Sequence, residues 1–273
     1  MSNLKEIINV LGKPYFETEN VALYKGDCVE YLKKLPRQSI DSVITSPPYN
    51  IGKSYEQNKS VEEYVKWSDS WLESIPDVLT ETGSFLFNLG FFPIPNIGKN
   101  VPIAYLLWNH VNMFLLQEIV WNYGAGVACK KMLSPRNEKW LWFVKDQMNY
   151  TFNLDLIRDP DVKYPNQKKN GKLRCNTLGK NPSDVWQIAK VTSGKNRSSE
   201  ERTSHPAQFP TDLIDRFMLG MTNPGDVVLD PFMGSGSTAI SALKNGRKSI
   251  GFEILEEYCE LSKNRIINYL EGR

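Results

Sequence analysis

The sequence predicts an α/β domain with a mostly parallel sheet, on three observations. Short apolar runs alternate with amphipathic stretches along most of its 273 residues. A strand at Val227–Leu229 runs into a glycine-rich loop and a helix, and the next strand ends in an acid, Glu253. An earlier apolar run, Ile40 to Thr45, stops abruptly at a double proline, Pro47 and Pro48.

Taken in order, Val21–Tyr24 is the first candidate strand, and Asp27 supplies a helix start for Cys28–Leu35. Ser42–Thr45 reads as a strand buried on both faces. The pattern then predicts a helix over Val61–Leu79, a strand at Ser84–Asn88 and a helix at Ile103–Asn109. Glu118–Asn122 and Lys139–Val144 follow as strands, the later one running antiparallel. Pro210 leads a helix over Thr211–Leu219, and the last units are Val227–Leu229, Ser237–Lys244, Ser249–Phe252 and Ile254–Glu271. The expected sheet therefore has seven strands. No internal repeat is visible.

Composition sets bounds on function. The chain is 41% hydrophobic and 23% charged with a net charge of +2, the profile of a globular domain whose overall charge names no partner. No apolar run reaches membrane-span length, and the first residues lack the apolar core of a signal peptide. Four cysteines (Cys28, Cys129, Cys175, Cys259) without CxxC spacing, and two histidines, argue against a zinc site and for a reducing cytoplasm.

The run "GDVVLDPFMGSGSTAISALKNGRKSIGFEI" (Gly225 to Ile254) is a nucleotide-binding half. Gly234 and Gly236 permit a tight turn and close approach to a ligand, and Glu253 is placed to accept from ribose hydroxyls. Gly234, Gly236 and Ala239 also satisfy a dinucleotide fingerprint, which keeps a nicotinamide-dependent oxidoreductase among the readings. No Gly-Lys-Ser/Thr follows, so a Walker loop is excluded. Asp230, with Pro231 and Phe232, stands where a pyrophosphate would be repelled. An acid-rimmed pocket suits a cationic adenosine compound better, and S-adenosylmethionine is one.

From about Asp146 to Ser204 periodicity fades. Between Lys163 and Arg197 there are nine basic residues, Lys163, Lys168, Lys169, Lys172, Arg174, Lys180, Lys190, Lys195 and Arg197, against one acid, Asp184. Tyr164 and Trp186 lie among them, the footprint of either a solvated loop or a nucleic-acid contact.

Together these stretches resemble the amino-group DNA methyltransferases of restriction-modification systems, in the group whose catalytic motif precedes the cofactor motif. "TSPPYN" (Thr45 to Asn50) resembles the catalytic (S/D/N)PP(Y/F) motif, and "LDPFMGSGST" (Leu229 to Thr238) the FxGxG cofactor loop. "HPAQFPTDLIDRF" (His205 to Phe217) is similar to the segment that packs on the cofactor, and "LYKGDCVEYLKKL" to the element that reaches its adenine through Asp27. "NEKWLWFVK" (Asn137 to Lys145) and "NPSDVW" (Asn181 to Trp186) resemble later family runs.

The resemblance implies a methyltransferase fold of seven mostly parallel strands with a target-recognition insertion. Residues 1–145 would be the catalytic half, 146–204 the insertion and 205–273 the cofactor-binding half. It implies S-adenosylmethionine held by Asp27, Thr45, His205, Pro206, Phe209, Asp230, Pro231, Phe232, Gly234, Gly236, Ser237, Thr238 and Glu253. It implies catalysis by Ser46, Pro47, Pro48 and Tyr49, and duplex DNA contacted by Lys163, Lys168, Lys169, Lys172, Arg174, Lys180, Lys195 and Arg197. A separate cognate restriction endonuclease fits this reading, as does a monomer or a homodimer. No metal is called for.

The chemistry accounts for the proline turn. An aromatic amine is a poor nucleophile because its lone pair is delocalised. Two acceptors aimed at its N–H groups, the Ser46 hydroxyl and the Pro47 carbonyl, favour a pyramidal nitrogen and stabilise its developing positive charge. Tyr49 offers a stacking face for a flipped base, and the polar segment Ile51–Ser60 is placed to close over it. No cysteine sits in a Pro-Cys nucleophile context, so transfer would be direct. In this family serine at the first motif position usually accompanies cytosine N4 and aspartate adenine N6, so Ser46 favours cytosine, with the same reaction on adenine N6 as the near alternative. A binding module with a dead cofactor pocket is the third reading, opposed by intact Ser46, Tyr49, Asp230 and Glu253.

Overall fold

A computed structural model describes residues 3–53, 59–126, 128–192 and 199–272. In chain order the elements run α1 (Leu4–Leu11), β1 (Phe16–Glu17), β2 (Val21–Lys25), α2 (Cys28–Leu32), β3 (Ile40–Thr45), α3 (Val61–Leu72), α4 (Ile75–Val78) and β4 (Leu79–Leu89). Next come β5 (Phe91–Ile94), β6 (Gly98–Pro102), α5 (Ala104–Leu107), β7 (Phe114–Asn122) and β8 (Asn137–Val144). The chain then forms β9 (Lys168–Lys169), β10 (Lys172–Leu173), β11 (Val185–Gln187), α6 (Thr211–Met221), β12 (Val227–Asp230), α7 (Ser237–Lys244), β13 (Lys248–Glu253) and α8 (Glu256–Leu270).

One sheet organises the molecule, in the order β1-β2-β13-β12-β3-β4-β8-β7-β11. Its seven longer strands are those the sequence predicts. The count of seven is corrected to nine by two edge strands, β1 and β11, of two and three residues. Segments that short carry no readable periodicity. Pairing is parallel from β2 through β4, and β8 runs antiparallel to both β4 and β7.

The predicted helix over Val61–Leu79 is two helices and the start of a strand. Pro76 lacks the N–H that would bond back to Leu72, so α3 ends and a short α4 restarts from Ser74. At the front of α3, Ser60 and Glu63 form a reciprocal capping box.

Each face of the sheet carries its own core. On one, Trp71 of α3 packs edge-on against Phe85 and Phe87 of β4. On the other, Trp140 of β8 lies 4.6 Å from Phe217 of α6, centroid to centroid. Removing any of these fully buried rings costs about 3–5 kcal/mol. The connections from β12 and β3 leave in opposite directions, β12 through α7 to β13 and β3 through α3 to β4. A cleft opens at the carboxyl ends of strands arranged in this way.

Beyond β8 the chain leaves at the opposite edge of the sheet. Thr151 bonds to Thr82, Asn153 to Gly220 at the end of α6, and Ile157 packs against Gly220. It returns as β11, whose Trp186 is buried against Phe217.

Candidate active site

Loops at the carboxyl ends of β2, β13, β12 and β3 enclose a cavity of about 450 Å³. The strands β12 and β3 end side by side in Asp230 and Thr45. Thr45 Oγ1 donates to Asp230 Oδ1 at 2.6 Å, Thr238 Oγ1 to Oδ2 at 2.8 Å, and the Phe232 N–H to Oδ1 at 3.1 Å. One carboxylate thus joins Thr45, 185 residues away, to the turn and helix that directly follow β12. Burial still outweighs these donors and raises its pKa to about 6.

The glycine loop between them is held from both sides. Gly234 and Gly236 take φ of +51° and +75°, and a Cβ on Gly234 would lie 2.9 Å from His205 Nε2. Glu253, last in β13, accepts the Gly234 N–H through one oxygen and the Leu255 N–H through the other, both at 2.9 Å. Burial raises its pKa as well. Ser237 Oγ donates to the Phe209 carbonyl, and Arg265 reaches Ser237 Oγ, the Ser235 carbonyl and Glu201. His205 accepts the Ala207 N–H at Nδ1 and its ring meets Tyr258 at 4.4 Å. Burial, with the charge of Lys53, lowers its pKa to about 4, so the ring is neutral at physiological pH. Asp27 both caps α2, through the Val29 N–H, and lines the cavity. Pro206, Pro231 and Phe232 complete this wall.

On the other side lie Ser46, Pro47, Pro48 and Tyr49. Tyr64 Oη donates to the Pro48 carbonyl at 2.9 Å and pins the turn. Ser46 Oγ lies 2.9 Å from Tyr49 Oη and 3.4 Å from Asn88 Oδ1, and Tyr49 Oη also bonds Asn88. Gly90 makes this possible, since a Cβ there would sit 2.7 Å from two Tyr49 ring carbons.

Sequence reasoning missed Asn88 and Glu138, and placed Lys190 only in the basic run. Glu138 Oε2 accepts from Tyr49 Oη at 3.3 Å, while Oε1 holds Lys190 Nζ at 2.6 Å. Lys190 lies 3.8 Å over the Tyr123 ring. Burial lowers its pKa, but Glu138 and Tyr123 raise it further, and the ammonium stays charged. The signal for this network is spatial only, because its members lie 39 to 89 residues from Tyr49 or 52 from each other.

The predicted DNA-contact residues lie elsewhere. Lys168 and Lys169 pair with Leu173 and Lys172 in a hairpin whose turn is Asn170–Gly171, both at positive φ. That Asn-Gly pair was a readable hairpin signal. Lys163, Arg174 and Lys180 line a shallow depression at its base, with Lys180 paired to Asp159 at 3.1 Å. Lys195 and Arg197 lie outside the described residues, as do 54–58 of the polar segment after the catalytic turn. Its ends are clasped, for Asn50 Oδ1 and Nδ2 bond the Lys59 backbone N–H and carbonyl, each at 2.8 Å.

Four carboxylates, Asp27, Glu138, Asp230 and Glu253, line this cavity with Lys53, Lys59 and Lys190; Glu138 is held by Lys190, and the loop from Asp230 to Thr238 holds no lysine or arginine. That donor set fits a cationic adenosine ligand and disfavours a pyrophosphate.

The fold and cleft fit a transferase that holds a cationic adenosine ligand, and comparison with known proteins gives the class. Residues 40–264 match the DNA methylase family model of N6 and N4 methyltransferases, and the chain belongs to that family. Its members draw the methyl group from S-adenosylmethionine. The chain is 55% identical to the type II methyltransferase M.ScaI of Streptomyces caespitosus, over 97% of this chain and 87% of that one. It is 34% identical to the DNA adenine methyltransferase YhdJ of Escherichia coli, over 92% and 84%. In fold it resembles the solved cytosine-N4-specific PvuII DNA methyltransferase, with a TM-score of 0.71, 23% identity and 96% of each chain covered. This is an S-adenosylmethionine-dependent, site-specific DNA methyltransferase of the restriction-modification type.

Proposed function

We propose that the chain methylates the exocyclic N4 amine of a flipped cytosine within a specific duplex sequence. The observation that carries this reading is the convergence of the Ser46 turn and the glycine loop on one cavity, joined by the Thr45–Asp230 hydrogen bond. When bound, S-adenosylmethionine supplies an electrophilic methyl group on a sulfonium. Asp27 and Glu253 orient its adenosine, with His205, Pro206, Phe209, Pro231 and Phe232 as apolar walls. Gly234, Gly236, Ser237, Thr238 and Asp230 shape the loop beneath, and Thr45 couples that loop to the catalytic turn.

Ser46 Oγ and the Pro47 carbonyl accept the amine's two N–H groups, Pro48 stiffens the turn, and Tyr49 presents the stacking face. Its hydroxyl bonds to Asn88 and Glu138 hold the ring in place before a base arrives. Cys28 lines the cavity, but burial pushes its thiol far above the usual range, which favours direct transfer over a covalent intermediate. Ser46, rather than aspartate, is what favours cytosine.

In this reading 1–145 form the catalytic half, 205–273 the cofactor half, and 146–204 the recognition region. Lys163, Lys168, Lys169, Lys172, Arg174, Lys180, Lys195 and Arg197 contact phosphates there. The enzyme works in the cytoplasm as the modification partner of a separate endonuclease. The test is tritiated S-adenosylmethionine with mixed-sequence plasmid DNA, followed by nucleoside analysis. Label in N4-methylcytosine is expected. Label in N6-methyladenine reverses the choice of base, and no label in DNA overturns the function.

A further inference from the structure

The loop from Tyr123 to Arg136 joins β7 to β8. Lys139 in β8 pairs with Leu89 at the end of β4, and Thr45 with Phe87, so this loop emerges at the same edge as the catalytic turn. Both of its roots touch the cavity, through Trp121 on one strand and Glu138 on the other. Its tip is closed by a bond from the Cys129 N–H to Ser134 Oγ at 2.9 Å. The tip also meets the β5–β6 hairpin, where Asn100 Nδ2 lies 3.5 Å from Met132 Sδ.

Charge and exposure on this rim both point to a ligand. Residues 90–103 and 123–136 together carry Lys99, Lys130, Lys131 and Arg136 and contain no aspartate or glutamate. Between the charges stands Leu133, 95% exposed, the most exposed large apolar side chain among the described residues. An isolated surface leucine is ordinary. A leucine raised on a cationic, acid-free rim beside a base pocket has the chemistry of a groove-inserting wedge, with cations for phosphate and an apolar tip for the stack. Position supports the same partner. Only β4 lies between the catalytic strand β3 and β8, which carries one root of this loop. At about 4.8 Å per strand that span is about 10 Å, well under the ~34 Å of one duplex turn. A duplex seated over the catalytic turn therefore reaches this loop.

We infer that the β7–β8 loop is a second DNA-contact element, in which Lys130 and Lys131 bind phosphates and Leu133 enters the duplex to fill the stack vacated by the flipped base. This inference rests on the methyltransferase reading proposed above. The test begins by mapping the methylated site on plasmid DNA treated with the wild-type enzyme. Duplexes of that site are then prepared with the target base correctly paired or mismatched, since mismatched bases extrude at little cost. Leu133→Ala should lower turnover about tenfold on the paired duplex and approach wild type on the mismatched one. The double variant Lys130→Ala/Lys131→Ala should reduce the slope of log affinity against log salt by about 1.8, as expected for two lost phosphate contacts. S-adenosylmethionine affinity should be unchanged in both, which reports an intact fold. Equal loss on both duplexes, or no loss, overturns the wedge, and an unchanged salt slope overturns the phosphate contacts. If the wild type methylates no DNA, it is the proposed function that fails.

Discussion

Thr45→Val tests the bond that joins the two halves of the site. Valine matches threonine in shape, so the substitution leaves no cavity and removes only the 2.6 Å hydrogen bond to Asp230. Asp230 has an ordinary pKa of 3.8 and a folded value of about 6. A raised folded value means that its burial opposes folding above pH 6, by about 3 kcal/mol. That opposition disappears as the pH falls toward 3.8. The Thr45 donor favours the ionised form, so its loss matters most where Asp230 is charged. A hydrogen bond to a charged group is worth about 1.5–3 kcal/mol, and a neutral one about 1 kcal/mol. Thr45→Val should therefore cost about 2 kcal/mol at pH 8 and about 1 kcal/mol at pH 5. For a chain of this size that is a Tm loss of about 4–8 °C at pH 8 and half as much at pH 5. Thr45→Ser keeps the hydroxyl, and its deficit should be independent of pH. Thermal unfolding of the three proteins at both pH values decides the matter. A Thr45→Val deficit equal at the two pH values, or absent, refutes this account of Asp230.

Two further outcomes are expected. A cationic ligand beside Asp230 favours the ionised carboxyl, so S-adenosylmethionine affinity should weaken as pH falls from 7 to 5, approaching tenfold per unit below pH 6. The neutral thioether S-adenosylhomocysteine should show a shallower dependence in the same calorimetric titrations, and parallel curves would contradict it. Gly90→Ala places a Cβ 2.7 Å from the Tyr49 ring and should displace that side chain. Turnover on DNA should fall at least tenfold with cofactor affinity nearly unchanged, whereas a normal kcat would show that the Tyr49 position is not critical.

The parts of this molecule that local chemistry dictates were legible in its sequence. Buried parallel strands read as continuous apolar runs, the positive φ at Gly234 and Gly236 demands glycine, and Pro47 and Pro48 end a strand wherever they stand. Helix α1 behind its Asn3 cap and the hairpin at Asn170–Gly171 are local and were passed over, but most of what escaped detection depends on long-range pairing. The two-residue strand β1 and three-residue β11 exist because a sheet edge was available to them. Lys190 looked like one more cation in a basic run. Its contact with Glu138, 52 residues away, and with the Tyr123 ring turns it instead into part of the cavity wall. The proline at position 76 was a visible helix breaker that the apolar periodicity of the surrounding residues concealed.

Asp230 shows why these two halves cannot be read as independent modules. Its carboxyl is destabilising as a buried charge, yet it collects donors from β3, from the turn after β12 and from α7. Replacing such a group by an apolar residue of similar volume often stabilises a protein. Here that change would uncouple the strand that carries Ser46 from the loop that carries Gly234. In the proposed reaction the site must hold an amine acceptor and a methyl donor in register, which needs the strands beneath them fixed to each other. The pairing of β3 with β12 brings the loops close and the Asp230 hydrogen bonds tie them together, so conformational stability is given up at the point where, in the proposed reaction, the two substrates meet.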